Sequence, residues 1–337
     1  MSKETNEAVE LLREWVAIDS VSGKEARFLE ALQAWFEARG WTCERQEIEP
    51  QRWNLYVHRG VRPRFLYSTH VDTVPPHIDP VVRAEVLYGR GACDTKGGIV
   101  AMCKAGERLR AGGRDDFGYL FVVGEEVNHC GAKGARSLAV ETDRIILCEP
   151  TENRVVAAQK GMIKFIIEAE GVAAHSAYPE RGESAVHKLL DALDRLRAEP
   201  WPSDPLLGPT TINVGVIAGG VAANVFAPSA SAEVLVRTVS ATEPLLERMR
   251  AVMGDAVRVE VPASNDPVFF DPPDDVETCT VSFNTDASYL TALAPVWLVG
   301  PGDIRVAHSD DEHIEFRALA DGIDLYERLG EKCVAIS

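Results

Sequence analysis

No apolar run in this chain approaches the roughly 20 residues that a helix needs to cross a bilayer, so no spanning helix is expected. Its opening, MSKETNEAVELLREW, is charged throughout and has neither the apolar stretch nor the small-residue cleavage site of a secretory signal. It reads as an amphipathic helix, and a cytoplasmic protein is expected. The seven cysteines (Cys43, Cys93, Cys103, Cys130, Cys148, Cys279 and Cys333) are odd in number and lack CxxC spacing. Neither a disulfide framework nor a zinc ribbon is therefore expected, and a reducing compartment fits. Positive charge is scarce, with 35 Lys and Arg against 52 Asp and Glu and a formal charge of −17. That balance repels phosphate backbones and anionic lipid, which argues against nucleic-acid and membrane-surface roles. Phosphate-cradling fingerprints are missing too: neither GxxxxGK[ST] nor GxGxxG occurs, which disfavours a doubly wound nucleotide-binding enzyme.

What is present is enough chain for two domains, 337 residues, with 46% hydrophobic content. Residues 8–36 hold two amphipathic helical stretches, followed by strand-like segments at 43–48, 54–58 and 65–69. A helix over 98–109, a strand at 119–123, a helix near 134–139 and a strand at 144–148 continue the pattern. This alternation predicts an α/β fold, a mostly parallel mixed sheet with helices on both faces. From about residue 159 the order becomes strand 164–170, helix 183–197, strands 210–217 and 231–238, helix 244–254 and strand 257–261. That is the β-α-β-β-α-β order of an α+β ferredoxin-like domain. The expected division is a catalytic domain over 1–158 and 265–337, interrupted by a lid over 159–264. The chain re-enters its sheet at a strand over 296–299 and closes with a helix over 312–329.

Five segments put His, Asp or Glu at or just beyond a predicted strand, where open α/β sheets usually carry their sites. In THVDTV (69–74), His70 ends a strand and Asp72 is placed to reach its far nitrogen. In GRGACDTKGG (89–98), glycines allow a tight backbone around Asp94 at a helix start, which suits a carboxylate shared by two cations. Glu125 and Glu126 leave an apolar strand side by side, and such neighbours repel unless something positive holds them. If Glu126 ligates a metal, Glu125 is free to take a proton from water activated there. Glu149 in CEP (148–150) ends another apolar strand, with Pro150 stopping the ladder. GPG (300–302) begins a loop that delivers His308 in AHSDDE (307–312). Taken alone, each motif is as readily a turn or a solvated strand end. Together, mixed nitrogen and oxygen donors suit a dinuclear hydrolase.

The ordered series THVDTV, GRGACDTKGG, GEE, CEP, GMIKF with AHSAYP, NTDAS and GPG…AHSDDE resembles the aminoacylase and acetylornithine deacetylase group of zinc amidohydrolases, the M20 family, over nearly the whole chain. The resemblance implies a zinc aminopeptidase-like catalytic fold with an inserted lid that makes homodimers. It implies two zinc ions, with cobalt or manganese as alternatives, held by His70, Asp94, Glu126, Glu149 and His308, Asp94 bridging. Glu125 becomes the general base and acid, with Asp72 supporting the catalytic group. His175 of the lid is implied to donate to the substrate carbonyl, commonly from a partner subunit. Asn224 and Arg237 are implied to hold the substrate's carboxylate and carbonyl, and Thr285 falls in a substrate-contact loop. The implied reaction is hydrolysis of an N-acyl amino acid, of the acetylornithine or acetyllysine type, in arginine or lysine biosynthesis. Alternatives are a succinyl-diaminopimelate desuccinylase or a dipeptidase or carboxypeptidase of the same family, and, in another class, a non-catalytic metal- or peptide-binding protein. Thr95, Gly124 and the pair His129–Cys130 depart from the family pattern. His129 and His313 are read as surface or supporting residues, and Cys93 as packing.

Overall fold

The computed structural model describes residues 2–335, so positions 1 and 336–337 of the expected catalytic span lie outside the described residues. The chain divides into two compact units: Met1–Ala157 with Phe270–Cys279 and Thr285–Ser337, and Ala158–Phe269 with Thr280–Asn284. The second unit thus reaches past 264 and takes a further short segment that pattern reading had assigned to the first.

The first unit is built on a six-stranded sheet in the order Thr42–Glu49, Arg52–His58, Phe117–Val122, Phe65–His70, Arg144–Leu147 and Val296–Leu298. The last four are mutually parallel, and the first two are joined antiparallel at one edge. The parallel strands are mostly apolar because both faces of the sheet are covered, and Phe65–His70 and Phe117–Val122 are buried at every position. Helices Lys3–Val16, Ala26–Glu37, Lys96–Ala111 and Phe316–Ala335 contribute to the same apolar core. Gly98 explains how closely helix and sheet meet: a methyl there would overlap Cys148 Sγ, so only hydrogen fits. The expected helix over 312–329 begins later. Residues His313–Glu315 first form a short strand on Val86–Tyr88, because Glu312 is tied into the 89–94 loop. The helix expected near 134–139 starts earlier, over Cys130–Ala135.

The second unit is a four-stranded antiparallel sheet ordered Thr211–Gly219, Ser229–Thr238, Gly161–Glu170 and Arg258–Asn265. Helices Ala185–Ala198 and Thr242–Met253 bury one face of it over Ile163, Phe165 and Val234. This is the ferredoxin-like order that the pattern predicts. Among the described residues no helix is long and apolar enough to cross a membrane.

Candidate metal centre

Parallel strands point their C-terminal ends the same way, so residues that follow those ends converge. His70 is the last residue of Phe65–His70, Glu125 and Glu126 follow Phe117–Val122, and Glu149 follows Arg144–Leu147. Asp94 arrives from the glycine-rich loop that opens helix Lys96–Ala111, and its peptide bond to Thr95 is cis. His308 arrives from the loop beyond Val296–Leu298 at φ 63°, a backbone conformation that disfavours a side chain.

These residues form two donor groups that share one carboxylate. His70, Asp94 and Glu149 make the first, and Asp94, Glu126 and His308 the second, with the donor atoms of each group within 4.8 Å of one another. Asp94 Oδ1 lies 3.1 Å from His70 Nε2, and its Oδ2 lies 3.3 Å from His308 Nε2. Glu126 Oε2 is 3.1 Å from His308 Nε2, and Glu149 Oε1 is 4.0 Å from His70 Nε2. One aspartate therefore presents an oxygen to each group.

The donor set fits divalent cations on three observations. His70 Nδ1 is 2.8 Å from the backbone carbonyl of Asp72, which can only accept, so the proton sits on Nδ1. Nε2 then faces the carboxylates of Asp94 and Glu149, a place for positive charge that either a proton on Nε2 or a bound cation would supply. Secondly, Glu149 Oε1 is buried without a hydrogen-bond partner among the described residues. Such an orphan costs free energy unless a hydrogen-bond donor or a cation meets it. Thirdly, the electrostatics of the site show more buried carboxylate than positive charge to balance it. Burial, followed by repulsion from Glu149, pushes the Glu125 carboxyl well above its ordinary range, and burial does the same to Glu149. Burial resists charge on Asp94, but hydrogen bonds from His308 and His70 outweigh it and hold that carboxyl well below the usual range. His308 is pushed up to about 10 by hydrogen bonds to Asp94 and then Glu126. His70 is also raised, its bonds outweighing burial.

Asp72 does something the sequence reading did not foresee. Its carboxylate stands 3.6 Å from His70 Nδ1, too long for the expected hydrogen bond, which the Asp72 carbonyl makes instead. The carboxylate accepts from the backbone amides of Glu125 (3.1 Å) and Glu126 (3.3 Å) and from Ser22 Oγ (2.7 Å). It clamps the turn that carries both glutamates. Gly124 enters that turn at φ 77°, which disfavours any other residue there.

His129, a surface or supporting residue by sequence pattern, is buried. Its Nδ1 lies 2.9 Å from Asp286 Oδ1 and 3.6 Å from Glu125 Oε1. Periodicity offers no signal for a histidine at φ 57° meeting an aspartate so remote in sequence. Thr285 is fully buried, its hydroxyl accepting from the Ala287 amide. That bond shapes the turn just before Asp286. Cys93 is buried and its thiol raised by burial, as packing requires.

Within the second unit, His175 and Asn224 come together. Residues His175 and Val225 form an antiparallel bridge, and the Ser176 amide donates to the Asn224 carbonyl at 2.9 Å. Both side chains are exposed. Arg237 lies elsewhere, at the other end of strand Ser229–Thr238, paired with Met162 and Thr211.

Residues 157–258 match the peptidase dimerisation domain of M20 proteins. A tripeptidase from Staphylococcus aureus superposes with a TM-score of 0.83 at 20% identity, covering 97% of this chain and 99% of that one, which identifies the fold. A probable carboxypeptidase from Aspergillus terreus is 34% identical over 371 residues, covering 95% of this chain and 84% of its own length. An M20 domain-containing protein from Schizosaccharomyces pombe is 33% identical over 334 residues, 95% of this chain and 83% of its own. Identity of 33% across 95% of the chain marks common descent, and the chain belongs to the M20 peptidase family of amide-bond hydrolases.

Proposed function

We propose that the protein is a dinuclear zinc peptidase that cleaves the amide bond of a short peptide with a free carboxyl terminus, in the manner of a carboxypeptidase or dipeptidase. The observation that carries this is the pair of donor groups sharing Asp94, with Glu125 beside them but in neither. His70, Asp94 and Glu149 would hold one ion, and Asp94, Glu126 and His308 the other. When bound, the ions would supply Lewis acidity and make water acidic enough to react near neutral pH. Glu125 would take the proton of the attacking water as it adds to the carbonyl, then deliver it to the nitrogen as the C–N bond breaks. Asp72 would keep Glu125 and Glu126 in register by holding their amides. Names of relatives at 33–34% identity, probable carboxypeptidases among them, support a peptide over a biosynthetic acyl amino acid.

N-acyl amino acids, of the acetylornithine or acetyllysine type, remain a second reading because they present the same amide beside a free carboxylate. A cytoplasmic site of action belongs to the proposal, supported by seven free cysteines.

We also infer a homodimer through the second unit, with His175 and Asn224 serving a partner's substrate. Ser229 and Arg237 stand eight residues apart on one strand, about 26 Å at roughly 3.3 Å per residue. His175 and Asn224 belong with the Ser229 end, so one copy cannot bring them and Arg237 to the same small substrate. Two copies can.

Assay of dipeptides, carboxamide-blocked dipeptides and N-acetyl amino acids for amine release, before and after chelation and zinc readdition, tests the reading. Zinc-dependent cleavage restricted to unblocked peptides is the expected result. Equal cleavage of blocked peptides, or activity indifferent to chelation, would overturn it.

A further inference from the structure

Glu312 is the one acidic residue of AHSDDE whose carboxylate is wholly buried, and neither ligation nor proton transfer uses it. Its Oε1 accepts from the backbone amides of Gly91 (2.9 Å), Asp94 (3.1 Å) and Cys93 (3.3 Å). Its Oε2 takes a 2.6 Å bond from the guanidinium of Arg90, and both side chains are almost completely removed from solvent. The Glu312 carbonyl accepts from the Gly89 amide at 2.9 Å. Arg90 continues the bracing, donating to the carbonyls of Ser309 (3.1 Å) and Pro76 (3.2 Å). One carboxylate therefore gathers the loop that ends in Asp94, while the guanidinium it holds ties back the loop that carries His308. Strand His313–Glu315, paired with Val86–Tyr88, anchors both loops from the next residue onward.

This geometry singles out Asp94. It is the residue both donor groups share, so an error in its backbone position spoils two sets of distances at once. It sits in a loop with glycines at 89 and 91, both at positive φ, which the chain by itself would leave free to move. A buried carboxylate with its four bonds satisfied supplies the rigidity that those glycines remove.

We propose that Glu312 is a positioning residue for the metal centre, setting cation affinity by fixing the Asp94 backbone and, through Arg90, the His308 loop. This rests on the two-cation reading of the site. Groups that orient metal ligands from behind typically change affinity about 10–100-fold when removed, and a change of that size is expected here.

The test measures binding and not turnover. Zinc affinity and stoichiometry would be determined by competition with a chromophoric chelator, and cobalt would be added to record its visible absorption. The proteins are the wild-type full chain, Glu312→Ala, Glu312→Gln, and Leu329→Ala, a buried core change in the final helix that serves as the stability control. The wild type is expected to bind two equivalents. Glu312→Ala should bind roughly 10–100-fold more weakly with an altered cobalt band. Glu312→Gln, which keeps an oxygen for the amides, should fall between, and carries the test by itself if the alanine variant does not fold. Leu329→Ala should lose thermal stability and keep both metal readouts. Wild-type affinity in the Glu312 variants, or an equal loss in Leu329→Ala, would overturn the proposal while leaving the two-cation reading intact. A wild type that binds no divalent cation would overturn that reading, and the proposal with it.

Discussion

Replacing Glu125 by Gln separates proton transfer from every other task of the site. The two side chains have nearly the same shape, and Asp72 grips the backbone amide of residue 125, which the substitution leaves in place. Glu125 belongs to neither donor group that shares Asp94, so two equivalents of zinc should remain bound. What disappears is the proton acceptor. General acid–base catalysis is worth about 10²–10⁴ in rate, or roughly 3–5 kcal/mol of transition-state stabilisation, so kcat should fall by that factor with KM little changed. Stability of the chelated protein should move the other way. Burial and then Glu149 raise the Glu125 pKa in the folded state, so folding favours its protonated form. Below the ordinary carboxyl pKa, folded and unfolded chains are both protonated and nothing is lost. As pH rises past it, the unfolded chain releases a proton that the folded chain keeps, and stability declines. Glutamine has no such penalty, so the variant's thermal advantage over wild type, both metal-free, should grow from pH 5 to pH 8. Kinetics, metal analysis and calorimetry on one preparation decide the matter. Turnover within tenfold of wild type at full metal content would refute Glu125 as the base, and loss of zinc would refute its separation from the ligands.

Asp72→Ala strips the acceptor from two backbone amides and the Ser22 hydroxyl, and kcat should drop about 10–100-fold; stopped-flow assays at saturating zinc that find wild-type kcat would dismiss the clamp. Gly98→Ala should destabilise the first unit, since the new methyl would overlap Cys148 Sγ, by about 1–3 kcal/mol in denaturant titration; the double variant Gly98→Ala with Cys148→Ala should recover part of that loss. Mixing inactive Glu125→Gln with inactive His175→Ala should restore part of the activity on subunit exchange, and exchange demonstrated by mass without regained activity would exclude a shared site.

Much of this was legible in the amino-acid order because the physics is local. Strand-like segments that end at or just before His70, Glu125, Glu126 and Glu149 place these polar groups at one edge of a parallel sheet. The change to a β-α-β-β-α-β order announces the second unit, whose sheet has the expected strand order. Glycines around Asp94 mark a tight loop at the start of a helix. Motifs in family order supplied the relationship that sequence identity over 95% of the chain establishes.

Other features were settled only by the tertiary structure, because each depends on where atoms remote in sequence meet. That Asp94 turns one oxygen to His70 and the other to His308 follows from three loops converging above one sheet. Asp72 was expected behind His70, but two amides of the neighbouring strand's exit turn offer better geometry than the imidazole at 3.6 Å. His129 looks like any polar loop residue until Asp286 reaches it from the far side of the chain. Glu312 looks like a solvated charge beside Asp310 and Asp311 until three amides and Arg90 close over it. The separation of Arg237 from His175 and Asn224 is set by strand length and antiparallel register, which motif matching does not measure. Sequence determines which groups are available and on what element; distance and desolvation, which decide what each group does, exist only once the chain has folded.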